Sequence, residues 1–87
     1  MSWRVVYARH AQRDARKLVA SPLKPRVEQL LSVLAEDPYR SPPPFEKLVG
    51  DLAGAYSRRI NIQHRLVYQV LDDVRVVKVL RMWSHYE

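Results

Sequence analysis

The stretch 56–68 concentrates arginines at a spacing that favours contact with an anion. Two apolar, β-branched runs flank a turn at residues 61–64, which is the pattern of a β-hairpin. Arg58 and Arg59 are adjacent, so on a strand they point to opposite faces, and only one can share a face with Arg65. Across an antiparallel pair Arg59 and Arg65 can meet on one face, where an anion would offset their repulsion. A phosphodiester is the obvious anion, and a pair of solvated outer-face arginines is the alternative interpretation.

A carboxylate and an imidazole could complete such a site. Glu46 lies in a Pro-rich segment before the hairpin, and His85 stands near the end of the chain. These groups suffice for RNA cleavage without a metal, because the carboxylate can take the 2′-OH proton and the imidazolium can protonate the leaving 5′-oxygen. The arginines would hold the phosphate and stabilise its added charge. A glutamate in a loop and a histidine near a terminus are more often surface residues, so only the combination predicts this chemistry.

The composition predicts one domain, residues 1–87, with a single core. The chain has no cysteine and its 3 histidines are too scattered for a zinc site, so we expect no metal and no cofactor. There is neither a signal-peptide pattern nor an apolar run near the roughly 20 residues of a membrane span, so we expect a cytoplasmic protein with no membrane partner. A net charge of +6 favours a polyanionic partner, either nucleic acid or an acidic protein.

Hydrophobic periodicity predicts the order β-α-α-loop-β-β-β, an α+β domain with a helical hairpin on one face of a small sheet. The first strand covers 3–7 and the first helix starts at Ala8. The second helix is expected to begin at Ser21-Pro22, a capping residue and a first-turn proline, and to end near Glu36. The last strand, from Val74 to about Trp83, is apolar on both faces, which is typical of a central strand.

The segment 37–53 differs in kind, because its prolines exclude regular structure over most of its length. Its apolar residues Phe45, Leu48, Val49 and Leu52 indicate an ordered loop that is pinned to the sheet and holds Glu46 between these anchors. Gly50 and Gly54 are expected to supply bends before the hairpin. If the helices cover one sheet face, the other face is left to form a site.

Several blocks together resemble one known family. They are Glu46 in a Pro-rich loop, Leu-Ala-Gly-Ala-Tyr-Ser-Arg-Arg-Ile at 52–60, His-Arg-Leu-Val-Tyr at 64–68, and a terminal His85-Tyr86. This pattern is similar to the YoeB/Txe branch of the RelE/ParE toxin superfamily, and the similarity runs over nearly the whole chain. The resemblance implies a RelE-like fold with a mainly antiparallel, twisted sheet. It also implies a type II toxin that cuts mRNA on the ribosome and is silenced by a YefM/Phd-type antitoxin, with a homodimer left open.

Carried over by position, the resemblance makes Glu46 the general base and His85 the general acid. It makes Arg65 the main phosphate ligand with Arg59 assisting, and it places Tyr86 near the scissile nucleotides. The family's lysine three residues after the glutamate is Val49 here, so Lys47 is the basic residue left to contact RNA. The end of the chain, residues 81–87, is two residues longer than the family's Arg-x-His-Tyr.

Two other classes of function compete with the toxin nuclease. A ParE-like toxin uses the same fold to bind DNA gyrase and carries out no RNA chemistry. A non-catalytic nucleic-acid binder would account for the positive charge alone. The presence of both Glu46 and His85 beside paired arginines favours the nuclease, because a binding protein needs no acid/base pair.

Overall fold

The computed structural model describes residues 3–84, with the side chains of residues 3–82, as two helices packed on one face of a five-stranded sheet. Its elements are β1 (Arg4–Tyr7), α1 (Arg9–Val19), α2 (Lys24–Glu36), β2 (Glu46–Lys47), β3 (Ala55–Arg59), β4 (Arg65–Leu71) and β5 (Val76–Ser84), with a 3₁₀ turn at Gly50–Leu52. The strand order is β1-β5-β4-β3-β2. Only the β1–β5 pairing among these is parallel. The predicted α+β class with a mainly antiparallel sheet is confirmed.

The core lies between the two helices and the sheet. Apolar side chains spaced three or four apart on the helices meet alternate residues of the strands, as the two periodicities require. Its fully buried members include Leu30, Leu34, Leu66, Tyr68, Val77 and Val79. β5 lies between β1 and β4, so the prediction of a central last strand is confirmed. No helix in the described part of the chain is long and apolar enough to cross a membrane.

Two boundaries and one additional strand differ from the expectations. α2 begins at Lys24 with Pro25 in its first turn, whereas Ser21 closes the connection between the helices by accepting the Leu23 N–H at 3.0 Å. The Pro-rich segment contains a short strand, β2, because its last proline is followed by residues with free N–H groups. β5 starts at Val76, since the preceding turn includes Arg75 in the left-handed region.

Gly50 and Gly54 supply the expected bends before β3. Both have positive φ, 73° and 95° respectively, which a residue with a Cβ adopts only with strain. The bends bring the chain back antiparallel to β2, so that Glu46 pairs with Ser57. The glycines therefore set the position of Glu46 against the hairpin.

The end of β5 carries more residues than the strand beside it. Tyr68 pairs with Val79 and Arg65 pairs with Ser84, so β5 uses six residues where β4 uses four. The difference is taken up in two register shifts. A shift of one residue would turn later side chains to the wrong face, and a second shift restores the alternation. β5 therefore still pairs with Arg65 in spite of its two additional residues.

Asp14 of α1 stabilises this irregular part of β5. Its carboxylate is buried and accepts hydrogen bonds from Arg81 Nε and from the Met82 backbone N–H, both at 2.9 Å. A bulge interrupts the ladder and leaves backbone groups to be paired by other means. Asp14, in the helix layer, accepts the N–H of Met82 and so joins the first helix to the last strand.

Replacing Asp14 with alanine should lower the free energy of unfolding by about 2–4 kcal/mol, because a buried N–H and a partly buried guanidinium lose their acceptor. The exposed Asp73 in the β4–β5 turn is the matched control, and Asp73→Ala should stay within about 0.5 kcal/mol of the wild type. Urea denaturation of the three proteins measures the difference. Equal midpoints for the two variants would show that Asp14 does not stabilise the bulge.

Candidate active site

The face of the sheet opposite the helices brings together the two arginines that the sequence singled out. Arg59 and Arg65 are directly paired across β3 and β4, so their side chains lie on the same face. Ser57 shares that face and pairs with Glu46 on β2. The predicted convergence of Arg59 and Arg65 is therefore present, with a carboxylate from a third strand on the same surface.

Glu46 is in contact with Arg65. The distance from Arg65 Nη1 to Glu46 Oε1 is 3.2 Å, although β2 and β4 are separated by β3. Two interstrand spacings amount to about 9–10 Å, so both side chains must reach over β3. The residue of β3 that pairs with Glu46 is Ser57, whose small side chain is buried and whose hydroxyl has no hydrogen-bond partner among the described residues. A larger residue at position 57 would obstruct this contact.

The neighbouring arginine, Arg58, points to the other face and is buried, with 1% of its surface exposed. Its guanidinium donates to the carbonyl oxygens of Pro38, Arg40 and Pro43 and to the hydroxyl of Tyr68. These four hydrogen bonds use most of the five donors that a guanidinium carries. Three of the four acceptors belong to the Pro-rich segment, so Arg58 holds that segment against the sheet.

The same interaction fixes the residue before Glu46. The Phe45 ring lies with its centroid 4.9 Å from the Arg58 guanidinium carbon, a cation–π contact, and it packs edge-on against Tyr56. Glu46 follows immediately and enters β2. The buried cation is thus connected through Phe45 to the carboxylate on the open face.

Tyr68 completes the environment of Arg58. Its hydroxyl donates to the Pro38 carbonyl at 3.0 Å while accepting from Arg58 Nε at 3.1 Å. Burial raises the pKa of Tyr68, and the positive charge of Arg58 opposes that rise. The hydroxyl therefore remains protonated at neutral pH, which keeps both of its hydrogen bonds available.

The remaining predicted residues are placed differently. Lys47 follows Glu46 in a strand, so its side chain points to the opposite face, and the structure does not bring it to Arg65. His85 and Tyr86 lie outside the described residues. The site as described consists of Glu46, Arg59 and Arg65.

Sequence reasoning did not identify Arg58 or Asp14 as structural residues. A signal for Arg58 was present, because it alternates with the apolar Tyr56 and Ile60 and so belongs to the core face of a strand. Asp14 has no comparable signal, because its acceptor role depends on a bulge in a strand 67 residues away in sequence. On this surface the carboxylate can receive a proton, and the arginines on the same face can bind a phosphate.

Comparison with known proteins places this geometry in a family. The family model for the YoeB-like toxin of bacterial type II toxin–antitoxin systems matches residues 7–86. Toxin YoeB of Streptomyces coelicolor is 36% identical over 85 residues, which cover 95% of this chain and 99% of that protein. The family match covers both helices and strands β2 to β5, and it begins at the last residue of β1.

Solved structures agree. The YoeB/ParE toxin from Agrobacterium tumefaciens superposes with a TM-score of 0.86 at 26% identity, covering 95% of this chain and 99% of that one. YoeB of Staphylococcus aureus, solved as a dimer, gives a TM-score of 0.81 at 27% identity, with 99% of this chain and 100% of that chain covered. A YoeB–YefM complex from Staphylococcus aureus gives a TM-score of 0.79 at 29% identity, with 99% of this chain and 100% of that chain covered.

Replacing Arg58 with methionine should release the Pro-rich segment, because three carbonyl groups lose their shared donor. We expect a loss of about 2–4 kcal/mol in the free energy of unfolding. Arg59→Met, at the exposed neighbouring position, is the matched control and should change stability by less than about 0.5 kcal/mol. Urea denaturation gives the stabilities, and amide exchange at residues 45–48 reports on the segment. Unchanged exchange in Arg58→Met would contradict the anchoring role.

Proposed function

The chain belongs to the YoeB-like toxins of bacterial type II toxin–antitoxin systems, and on that premise we propose that it is an endoribonuclease. It would cleave mRNA on the ribosome, in the cytoplasm, and so inhibit translation. The reaction would use general acid/base catalysis by protein side chains and no metal. The observation that carries this proposal is the contact between Glu46 and Arg65, with Arg59 opposite on the same face.

The arrangement suits attack by a ribose 2′-OH on the adjacent phosphate. Glu46 takes the hydroxyl proton, the 2′-oxygen forms a bond to phosphorus, and the bond from phosphorus to the 5′-oxygen breaks. Arg65 lies beside Glu46, the general base, and stabilises the added negative charge of the five-coordinate phosphorus. The products are a 2′,3′-cyclic phosphate and a 5′-hydroxyl. A DNA strand has no 2′-OH and cannot react in this way.

The resting ion pair is suited to displacement by substrate. The Glu46 side chain is 71% exposed and that of Arg65 is 27% exposed, so water already competes for both groups. Ion pairs of this kind contribute about 0–1 kcal/mol. A phosphate can therefore bind Arg65 at little cost while leaving Glu46 as a free carboxylate beside it.

His85 is the proposed general acid that protonates the leaving 5′-oxygen, and Tyr86 is proposed to shape the site. Both lie outside the described residues, and the support comes from the strand that precedes them. Ser84 pairs with Arg65, so β5 continues to the level of the phosphate ligand in spite of its two additional residues. His85 is the next residue in the chain.

We propose a YefM-type antitoxin as the partner, since YoeB of Staphylococcus aureus was solved in complex with YefM. The net charge of +6 favours an acidic segment that covers the arginines. A homodimer is the second proposed assembly, by analogy with the dimeric Staphylococcus aureus protein. Co-expression with a small acidic protein encoded beside the toxin should give a stable complex by gel filtration, and failure to co-purify would contradict this pairing.

The direct test is purified protein added to translating ribosomes with an end-labelled mRNA. Discrete cleavage products that require ribosomes support the proposal. Intact mRNA together with inhibition of DNA gyrase would establish the ParE-like alternative instead. The exposed acid and arginine pair on the open face favours the first result.

Glu46→Ala and His85→Ala should each lower the cleavage rate by roughly 10²–10⁴-fold, the usual effect of removing a general base or acid. Folding should be unaffected by Glu46→Ala, because that side chain is exposed. Glu28→Ala and His10→Ala, at exposed positions on the helices, are the matched controls and should retain the wild-type rate. Wild-type rates in both site variants at the same ribosome concentration would eliminate the proposed mechanism.

Arg65→Ala should reduce the cleavage rate by about 10²-fold or more, as for other groups that stabilise developing negative charge. Arg65→Lys should recover only part of the loss, because an ammonium group lacks the two parallel donors of a guanidinium. Arg16→Ala removes the same charge from the exposed surface of α1 and serves as the control. Full activity in Arg65→Lys would show that Arg65 provides only general attraction.

A further inference from the structure

A surface pocket adjoins the candidate active site at the β3–β4 turn. It encloses about 310 Å³ between the start of α2, the Pro-rich segment and the turn. We call it the turn pocket, and its lining residues are Arg26, Pro43, Pro44, Arg59, Ile60, Asn61 and Ile62. Ligand pockets begin at about 300 Å³, so this one has room for one small-molecule-sized ligand rather than for a helix or a strand.

The charge of the turn pocket is of one sign. Arg26 and Arg59 come from different elements and line the same cavity, and none of its lining residues is acidic. Arg26 donates from Nη1 to the neutral amide oxygen of Gln29 at 3.1 Å, which leaves its charge uncompensated by that contact. Two arginines that line one small cavity favour an anion there, and the planar fork of arginine matches a phosphate.

The walls of the pocket suit the rest of a nucleotide. Pro43 and Pro44 present apolar ring surfaces, and Ile62 at the tip of the turn is 85% exposed. A large apolar side chain this exposed, beside two arginines, offers a contact for a base or a ribose. Single-stranded RNA presents its bases unstacked, so one nucleotide can enter such a pocket while the strand continues beyond it.

The turn pocket is continuous with the site through Arg59, which lines it and is directly paired with Arg65. We infer that the turn pocket binds a nucleotide of the substrate RNA next to the scissile phosphate, with Arg26 and Arg59 on its phosphate group. This inference rests on the proposed function, because it concerns the same RNA. It assigns Arg26, a residue outside the sheet, to substrate binding.

The test compares single substitutions in ribosome-dependent cleavage of a labelled mRNA. Arg26→Ala should raise KM by about 10-fold with little change in kcat, because a charge-assisted hydrogen bond to a flanking phosphate is lost and the reacting groups are untouched. Arg13→Ala, which removes the same charge from an exposed position on α1, should raise KM by less than about threefold. Equal effects of the two variants would overturn the inference.

A binding measurement separates this inference from the proposed function. The probe is a short fluorescent 2′-O-methyl oligoribonucleotide, which cannot be cleaved by 2′-OH attack, and it is titrated with the isolated protein. Arg26→Ala should weaken binding by about 10-fold and Arg26→Lys by less, because lysine keeps the charge and loses the fork. If the wild type binds in this pattern yet cleaves no mRNA, the pocket stands and the proposed function fails. Full binding by Arg26→Lys would reduce the pocket to general attraction and overturn it.

The apolar wall has its own variant. Ile62→Ser should weaken binding of the same oligonucleotide severalfold, because an apolar contact with the base or ribose is removed. Val74→Ser, at an exposed apolar residue of the β4–β5 turn, is the matched control and should leave binding unchanged. Equal binding by these two variants would show that the turn tip does not contact RNA.

Discussion

The burial of the Arg58 guanidinium among backbone carbonyls is the interaction on which the rest of the structure depends. A buried charge is costly unless its donors are paired. The Pro-rich segment needs donors, because its prolines prevent a helix or a strand ladder that would otherwise pair its carbonyl oxygens. Arg58 donates hydrogen bonds to three of these carbonyls, so the buried guanidinium and the carbonyl oxygens are paired with each other. Phe45 packs on the same guanidinium, and this contact positions the next residue, Glu46, on the open face.

Adjacent arginines in one strand serve opposite purposes because they point to opposite faces. Arg58 is buried, and breaking its hydrogen bonds would leave an unpaired charge in the core. Arg59 is exposed, and its partner across the ladder, Arg65, holds only a weak contact with Glu46. Weak contacts can be exchanged for a phosphate, whereas the buried ones cannot. Burial, and not residue type, decides which arginine supports the fold and which remains available to bind an anion.

A second constraint operates at the end of the last strand. β5 has two more residues than β4 over the same length of the ladder. The alternation of its side chains between the two faces is therefore shifted by one residue and then restored by a second shift. The disturbance exposes backbone groups that the ladder cannot pair, and the carboxylate of Asp14 accepts the Met82 N–H from the helix layer. The additional residues of β5 are thus accommodated while Ser84 stays paired with Arg65.

Local pattern was sufficient for most of the architecture. Helical and strand periodicities predicted both helices and four of the five strands, and the alternation of Arg58 and Arg59 about the hairpin correctly placed Arg59 with Arg65. The bends at Gly50 and Gly54 were also predictable from the sequence, because glycine adopts positive φ without steric cost. Glu46 was identified as the carboxylate of interest, although its pairing in a short strand was not.

Tertiary structure alone decided the features that depend on partners distant in sequence. The carbonyl groups that receive Arg58 lie 15 to 20 residues away, and nothing in their side chains reveals them, because backbone acceptors are common to all residues. Asp14 gained its role from a bulge, and Arg26 joined Arg59 in one pocket only when α2 packed beside the hairpin turn. Periodicity specifies which face a residue occupies. Which groups meet across that face is set by packing between elements, and packing has no local signature in the sequence.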